Sequence, residues 1–431
     1  MSGAKPAPVR AAESGIYRKI GWRLLPLLGL CYLVAYLDRI NVGFAKLSML
    51  SDLGLDDSHF GLAAGLFFVG YVLFETPSNF LQAKVGARVW IARIMVSWGL
   101  LSMLCAAVSS AWHLYTLRFL LGIAEAGFLP GVLFYLSGWF PSHQRGRVFS
   151  LFLVGLPLAG VLGGPLSGAI MAHLDGVYGF AGWQWLFLVE GGPSVVLGLL
   201  FLATMPSTPG EATWLSDEEK ALLEAGLALD APAHAPHGFM AGLSDWRIWV
   251  LGGVDFAILM VTYALSFWLP TLIKATGIAD PTRIGWLVAV PNVCALVSML
   301  ALSWSSDRMR ERRRHIMIPF AIGALALVIL PLVPHTLGWT LLLFSIVSAS
   351  VTGVVPIYFA LPATFLRGEA AAAGFALATS LANIAGLVSN TVLGFAADAM
   401  GGVFYALWVF AAFLVVGIGL VKLLPADQVN R

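Results

Sequence analysis

Charged side chains interrupt the apolar stretches of this sequence at Asp38, Arg39, Glu75, Arg118, Glu125, Glu190 and Asp255. On insertion scales a charge at the centre of a membrane helix costs about 2.5–3.5 kcal/mol, so charges at such places mark function by default. Arg118 and Glu125 stand two helical turns apart and share one helix face. A guanidinium is permanently charged and presents a planar fork of donors, which suits a carboxylate ligand. A carboxyl group whose burial and charge partners change can take up and release a proton. Asp38, Arg39, Arg118 and Glu125 together therefore suit the binding of an organic anion linked to proton movement. The plainer reading is an ion-pair network that only fixes packing.

Elements long enough to carry these groups through a bilayer need about 20 apolar residues each. About twelve such runs are present on hydropathy grounds. They fall near 22–46, 60–80, 88–108, 113–138, 146–171, 183–204, 248–273, 284–304, 315–334, 337–361, 372–396 and 402–424. The expected fold class is an all-α membrane protein of twelve transmembrane helices in two six-helix bundles. The expected divisions are a tail over 1–21, a bundle over 22–204, a linker over 205–247, a second bundle over 248–424 and a tail over 425–431. Charged residues are 11% of the 431 residues and hydrophobic ones 59%, too few polar groups to cover a soluble globule. Glycine, at 46 residues, suits helices that approach closely in lipid.

The N-terminal segment carries Lys5, Arg10, Arg18 and Lys19 and lacks a short apolar core with a cleavage site, so the first span is read as retained. Basic residues recur in alternate connections: Lys84, Arg88 and Arg93; Arg145 and Arg147; Arg308, Arg310, Arg312, Arg313 and Arg314; and Arg367. The opposite connections hold Asp52, Asp56 and Asp57 or are neutral, with Lys274 and Arg283 as exceptions. The positive-inside rule then places both termini in the cytoplasm. In that orientation Asp38 and Arg39 lie roughly 24 Å into the first span, and Arg118 and Glu125 about 7 and 18 Å from the outer boundary of the fourth. The connections after spans two and eight (Asn79 to Arg88, Trp304 to Arg314) place basic groups at equivalent points of each half. Parallel repeats of this kind put a substrate site between the halves.

Other features divide between packing and function. Gly122 leaves room beside Arg118 and Glu125, and Gly160, Gly164 and Gly168 form a close-packing stripe. Tyr263, Phe267 and Trp268 fit either a lipid-facing belt or a cavity wall beside Tyr36. Asn292, Tyr358, Asn383 and Asn390 are polar candidates from the second half. Glu75 fits a structural role, Glu190 a pairing or capping role, and Asp255 stands alone. The three cysteines, Cys31, Cys105 and Cys294, lie in apolar runs and read as buried hydrophobes. His234 and His237 sit among Pro and Ala and do not make a metal site. A net charge of +2 argues against nucleic acid as a partner, and no phosphate-binding loop points to ATP. No catalytic residues, metal or cofactor are expected.

Several motifs together resemble the anion:cation symporter family of the major facilitator superfamily. They are Tyr36-Leu-Asp38-Arg39-Ile-Asn41-Val-Gly43-Phe-Ala45, Phe68-Val-Gly70-Tyr-Val-Leu-Phe-Glu75-Thr-Pro77-Ser78-Asn79, and Arg118-Phe-Leu-Leu-Gly122-Ile-Ala-Glu125-Ala-Gly127-Phe-Leu-Pro130-Gly131. Trp139-Phe140-Pro141 with Arg145, Gly182-Trp183-Gln-Trp185 through Glu190-Gly191, and Phe267-Trp268-Leu-Pro270 extend the likeness over nearly the whole chain. The resemblance implies an importer of small organic anions, closest in look to tartrate- and phthalate-type permeases, coupled to protons and acting as a monomer in the bilayer. It implies that Arg39 binds the anion, that Asp38 and Glu125 take coupling protons, and that Arg118 links the two. Tyr36, Tyr263, Trp268, Asn383 and Tyr358 complete the expected substrate site. The stretch Asn383-Ile-Ala-Gly386-Leu-Val-Ser389-Asn390 lacks the Gly-Pro that the family often shows there. An exchanger, a uniporter or a non-transporting sensor of the same fold are the alternatives.

Overall fold

A computed structural model describes residues 7–228, 245–361, 368–400 and 403–430. Lys5, His234, His237 and Arg367 lie outside the described residues. Regular structure among the described residues is helical throughout. Twelve helices are long and apolar enough to cross a membrane. Spans one to six cover Gly15–Leu53, Asp57–Val85, Ala87–Ala107, Ala111–Ser137, Leu151–His173 and Gly182–Thr204. Spans seven to twelve cover Trp246–Lys274, Pro281–Met309, Arg313–Leu332, Leu337–Ala360, Leu377–Ala399 and Val403–Leu423.

The first helix outruns its apolar stretch at both ends, extending over Ala7–Leu53. Gly54, at φ 64°, then turns the chain, and Asp56 caps span two by accepting from the His59 amide at 2.9 Å. Hydrogen bonds from His59 and Ser58 hold the Asp56 carboxyl down to about 2, so the cap stays charged. Because span one ends at Leu53 rather than near residue 46, Asp38 and Arg39 sit about 10 Å deeper than the apolar run alone suggests.

Within the first half, span two packs on span four, span three on span six, and span one on spans five and six. In the second half, span seven packs on eleven and twelve, span eight on ten, and span nine on ten and twelve. The room left by Gly122 is filled by span two: a β-carbon there would collide with the Phe67 carbonyl and lie 3.0 Å from the Tyr71 amide. Gly70 returns the contact against Phe119 and Ile123. This backbone-on-backbone crossing fixes the depth of Arg118 and Glu125 relative to span two.

Arginines on the face that carries the chain termini serve as helix caps. Arg88 Nε donates to the Leu202 carbonyl at 2.8 Å, at the end of span six. Arg145 Nη2 donates to the Ser137 carbonyl at 3.2 Å, at the end of span four, and Arg313 donates to the Lys422 carbonyl, in the last turn of span twelve. Each cation meets carbonyls that a helix end leaves unpaired, at the negative pole of its dipole.

Between the halves, the most extensive contacts among the described residues join span one with seven, two with eleven, and five with eight. The closest approaches use small residues: Gly43 against the Phe267 carbonyl, Gly61 against Asn390 and Gly394, and Gly164 against Gly285 and Val288. Gly168 meets Pro281 in the same stripe, so the span-five glycines pack on span eight across the divide. All these contacts lie toward the face away from the termini. That face is closed.

Candidate functional site

Span four is two helices, Ala111–Glu125 and Phe128–Ser137, with a break between them. Ala126 is extended and Gly127 takes φ 87°, a left-handed conformation that favours glycine. Side chains from span two brace the break: Ser78 Oγ donates to the Ala126 carbonyl at 2.6 Å, and Gln82 Nε2 to the Gly131 carbonyl, in the first turn of the second helix, at 2.8 Å. Trp90 Nε1 in turn donates to Ser78 Oγ at 2.9 Å. Broken helices of this kind are tolerated in membranes where the backbone is buried in protein or lines a cavity. Glu125 is the last residue before the break, at the negative end of a half-helix, where a cation is favoured.

That cation is Arg39. Its guanidinium forms an ion pair with the Glu125 carboxylate, joining span one to span four. Three rings surround it: Tyr36 and Tyr71 at 5.3 Å and Phe67 at 5.5 Å from the guanidinium carbon. The Arg39 side chain keeps 13% of its surface accessible against 4% for Glu125, so a ligand can approach the arginine side of the pair.

Asp38 points the other way. It accepts from Asn41 Nδ2 at 3.1 Å and from Ser102 Oγ on span three. Asn41 lies between Asp38 and Glu190, and Glu190 accepts from Ser167 Oγ at 2.7 Å. The pairing role expected of Glu190 is thus with a hydroxyl, inside a buried polar chain that ends at Asp38. Arg118 is completely buried, and none of its three nitrogens has a hydrogen-bond partner among the described residues. It lies 4.9 Å over the Phe67 ring, within electrostatic reach of Asp38 and Glu125. Of the two arginines, Arg39 alone makes a direct ion pair among the described residues. Glu75 is half-buried on span two.

From the second half, Tyr263 lies within electrostatic reach of Arg39, and its hydroxyl donates to Asn383 Oδ1 at 3.1 Å. Asn383 is thus tied to the Arg39 cluster through Tyr263. Trp268 is elsewhere, donating from Nε1 to Asn390 Oδ1 at 3.1 Å near the closed face. Tyr358 is buried beside Asp255, which gives that acid a neighbour the sequence did not reveal. Asn292 donates to the Val288 carbonyl at 2.9 Å and abuts Gly160, which makes it part of the span-five contact.

Sequence reasoning missed Lys46, because the apolar run appeared to end there. In the longer helix it is buried, pairing with Asp57 at 2.8 Å. Its ammonium sits 3.3 Å from the Trp268 ring centroid and 4.7 Å from that of Phe60. Asp398 of span eleven lies within electrostatic reach and accepts from the Ser58 amide at 2.8 Å. Lys46 therefore links spans one and two to spans seven and eleven across the closed face. A cation–π contact of this kind contributes about 0.5–2 kcal/mol. Lys46→Met is expected to shift the balance toward an open face by about tenfold. Spin labels at Ser51 and Ala399, exposed ends of spans one and eleven, would then gain a longer-distance population by pulsed EPR. An unchanged distance distribution would remove Lys46 from the latch.

Known proteins agree with this architecture. Residues 28–390 match the family model of the Major Facilitator Superfamily. The "Putative metabolite transport protein NicT" of Pseudomonas putida is 54% identical over 418 residues, covering 96% of each chain. A "Putative tartrate transporter" of Agrobacterium vitis is 40% identical over 427 residues, covering 96% of this chain and 92% of that one. A solved bacterial homologue of the human lysosomal transporter Spinster, in an inward-facing and occupied conformation, superimposes with a TM-score of 0.75 at 16% identity, covering 93% of this chain and 96% of that chain. The last establishes fold alone; the first two carry the family across both bundles. The chain is thus a multi-pass membrane transporter that belongs to the Major Facilitator Superfamily.

Proposed function

We propose that this transporter imports a small organic carboxylate together with protons across a bacterial inner membrane, with both termini in the cytoplasm. The observation that carries the reading is the Arg39–Glu125 pair, a partly accessible guanidinium balanced by one acid at a helix break. A substrate carboxylate competes with Glu125 for the Arg39 fork. Once displaced, Glu125 would be an uncompensated buried charge, and taking a proton relieves that cost. Asp38, on its separate hydrogen-bonded chain, is a second proton site. Arg118, with no hydrogen bond among the described residues, adjusts its field to whichever acid is charged. Tyr36, Tyr263 and Asn383 complete the substrate-facing surface.

In this orientation the closed face is the outer one, so the conformation described is inward-facing. Rocking of one bundle against the other then breaks the glycine contacts and the Lys46 latch and opens the site outward. The tartrate and metabolite names of the relatives fit a carboxylate cargo.

The test is transport in proteoliposomes under an imposed, inside-alkaline pH gradient, using a panel of radiolabelled carboxylic acids. Accumulation of at least one acid that collapses with a protonophore is the expected result. Accumulation indifferent to the protonophore would replace symport with exchange or uniport.

A further inference from the structure

Spans one and five touch and then part. A β-carbon on Gly155 would lie 3.0 Å from the Tyr32 ring and 3.3 Å from the Gly29 carbonyl, so the two backbones meet there. From that point toward the chain termini the helices splay. A groove of about 790 Å³ opens between span one and the helix Ser142–Leu153 that leads into span five. Gly21, Trp22, Leu25 and Pro26 form one wall, and Val148 and Leu151 the other. The rings of Tyr17 and Phe140, 6.3 Å apart between centroids, also line it. Pockets that hold small molecules span about 300–1,000 Å³, so the groove has room for an occupant.

The groove opens sideways, toward lipid. On span one, Trp22 is 77% and Leu30 44% exposed, two turns apart on one face with Pro26 between them. On span five, Leu151, Val154, Leu158 and Leu162 form an exposed stripe that runs on from the groove. An exposed apolar stripe on a membrane span is a surface for acyl chains. Tryptophan marks the membrane–water interface. The helix of span one continues unbroken past Trp22 to Ala7. Arg18 therefore stands one turn, about 6 Å, beyond Trp22. That is the level of the headgroups.

Charge selects one class of lipid. Arg18 lines the groove, is exposed and has no ion pair among the described residues, whereas its neighbour Lys19 is engaged by Glu219 at 2.7 Å. A free guanidinium is a strong partner for a phosphodiester. Gln144 adds an amide that can donate to a phosphate or ester oxygen. Among the described residues no carboxylate lines the groove, so the ammonium of a zwitterionic headgroup would find no counter-charge there. We propose that the groove binds a phospholipid of net negative charge, with its phosphate on Arg18 and an acyl chain in the wedge between spans one and five. The site is separate from the Arg39 cluster and does not depend on what the transporter carries.

The test is native mass spectrometry of the full chain, stripped of lipid in detergent and titrated with phosphatidylglycerol or phosphatidylcholine of matched chains. The first phosphatidylglycerol is expected to bind about fivefold more tightly than the first phosphatidylcholine, the worth of one basic residue at a membrane surface. Arg18→Gln is expected to erase that preference. Gly21→Phe puts a ring into the groove at a position where a β-carbon meets nothing closer than Leu25 Cδ1 at 3.7 Å. It should weaken the first phosphatidylglycerol by about tenfold, through lost burial of the chain, while Gly21→Ala binds as the unmodified protein does. Inorganic phosphate in excess should not displace the lipid. Equal affinity for the two lipids, an undiminished preference in Arg18→Gln or undiminished binding in Gly21→Phe overturns the proposal. Displacement by inorganic phosphate would likewise overturn it, in favour of a site for a soluble anion.

Discussion

Proteoliposomes containing Glu125→Gln are expected to show no substrate accumulation down an imposed pH gradient, while still exchanging preloaded substrate. Glutamine keeps the shape of glutamate and can still accept from Arg39, but it neither carries the charge nor exchanges a proton. The first loss removes the competitor that a carboxylate substrate must displace, so binding to the variant should be tighter than to wild type. The second removes the link between binding and proton uptake. A residue that only supported the break in span four would weaken binding and transport together when changed. Tighter binding with lost accumulation is therefore specific to coupling, and wild-type accumulation would remove Glu125 from that role.

Arg39→Lys should weaken carboxylate binding sharply although the charge is kept. The planar fork of arginine can offer parallel hydrogen bonds to a carboxylate, and lysine offers a point charge. Losing one charge-assisted hydrogen bond costs about 1.5–3 kcal/mol, which is roughly 10- to 150-fold in affinity. The three rings packed about the guanidinium add to the effect, since a flat cation stacks on them and an ammonium fits less well. Titration of purified protein with a transported acid, by calorimetry or by thermal shift, reads the change directly. A wild-type affinity in the lysine variant would mean that the anion binds elsewhere.

The two variants also separate the acids. Asp38 is bonded to Asn41 and Ser102 and has no contact with Arg39 among the described hydrogen bonds. The tightening expected of Glu125→Gln therefore has no counterpart for Asp38→Asn, which affects proton movement without freeing the clamp.

Much of this was open to reading in the linear chain. Twelve apolar runs, alternating basic connections and charges inside spans follow from the cost of placing polar groups in hydrocarbon, a constraint that acts on each segment separately. The pairing of spans one and four was also legible, because Arg118 and Glu125 share a helix face and their depth can be counted from the ends of the runs. Even there, helix geometry left both acids and both arginines as equal partners. Only the folded chain joins Arg39 to Glu125, turns Asp38 toward Asn41 and Ser102, and leaves Arg118 without a hydrogen bond among the described residues. Which side chain reaches which depends on helix rotation, and that is set by contacts such as Gly122 on the span-two backbone.

Lys46 against Trp268 and Tyr358 beside Asp255 were hidden for a related reason. Each contact joins residues far apart in sequence and on different spans, the first across the two bundles, and hydropathy does not encode that register. Hydrophobicity decides that a segment crosses the membrane. Steric fit between small and aromatic residues decides which of its faces meets its neighbour, and that fit exists only once both helices are in place.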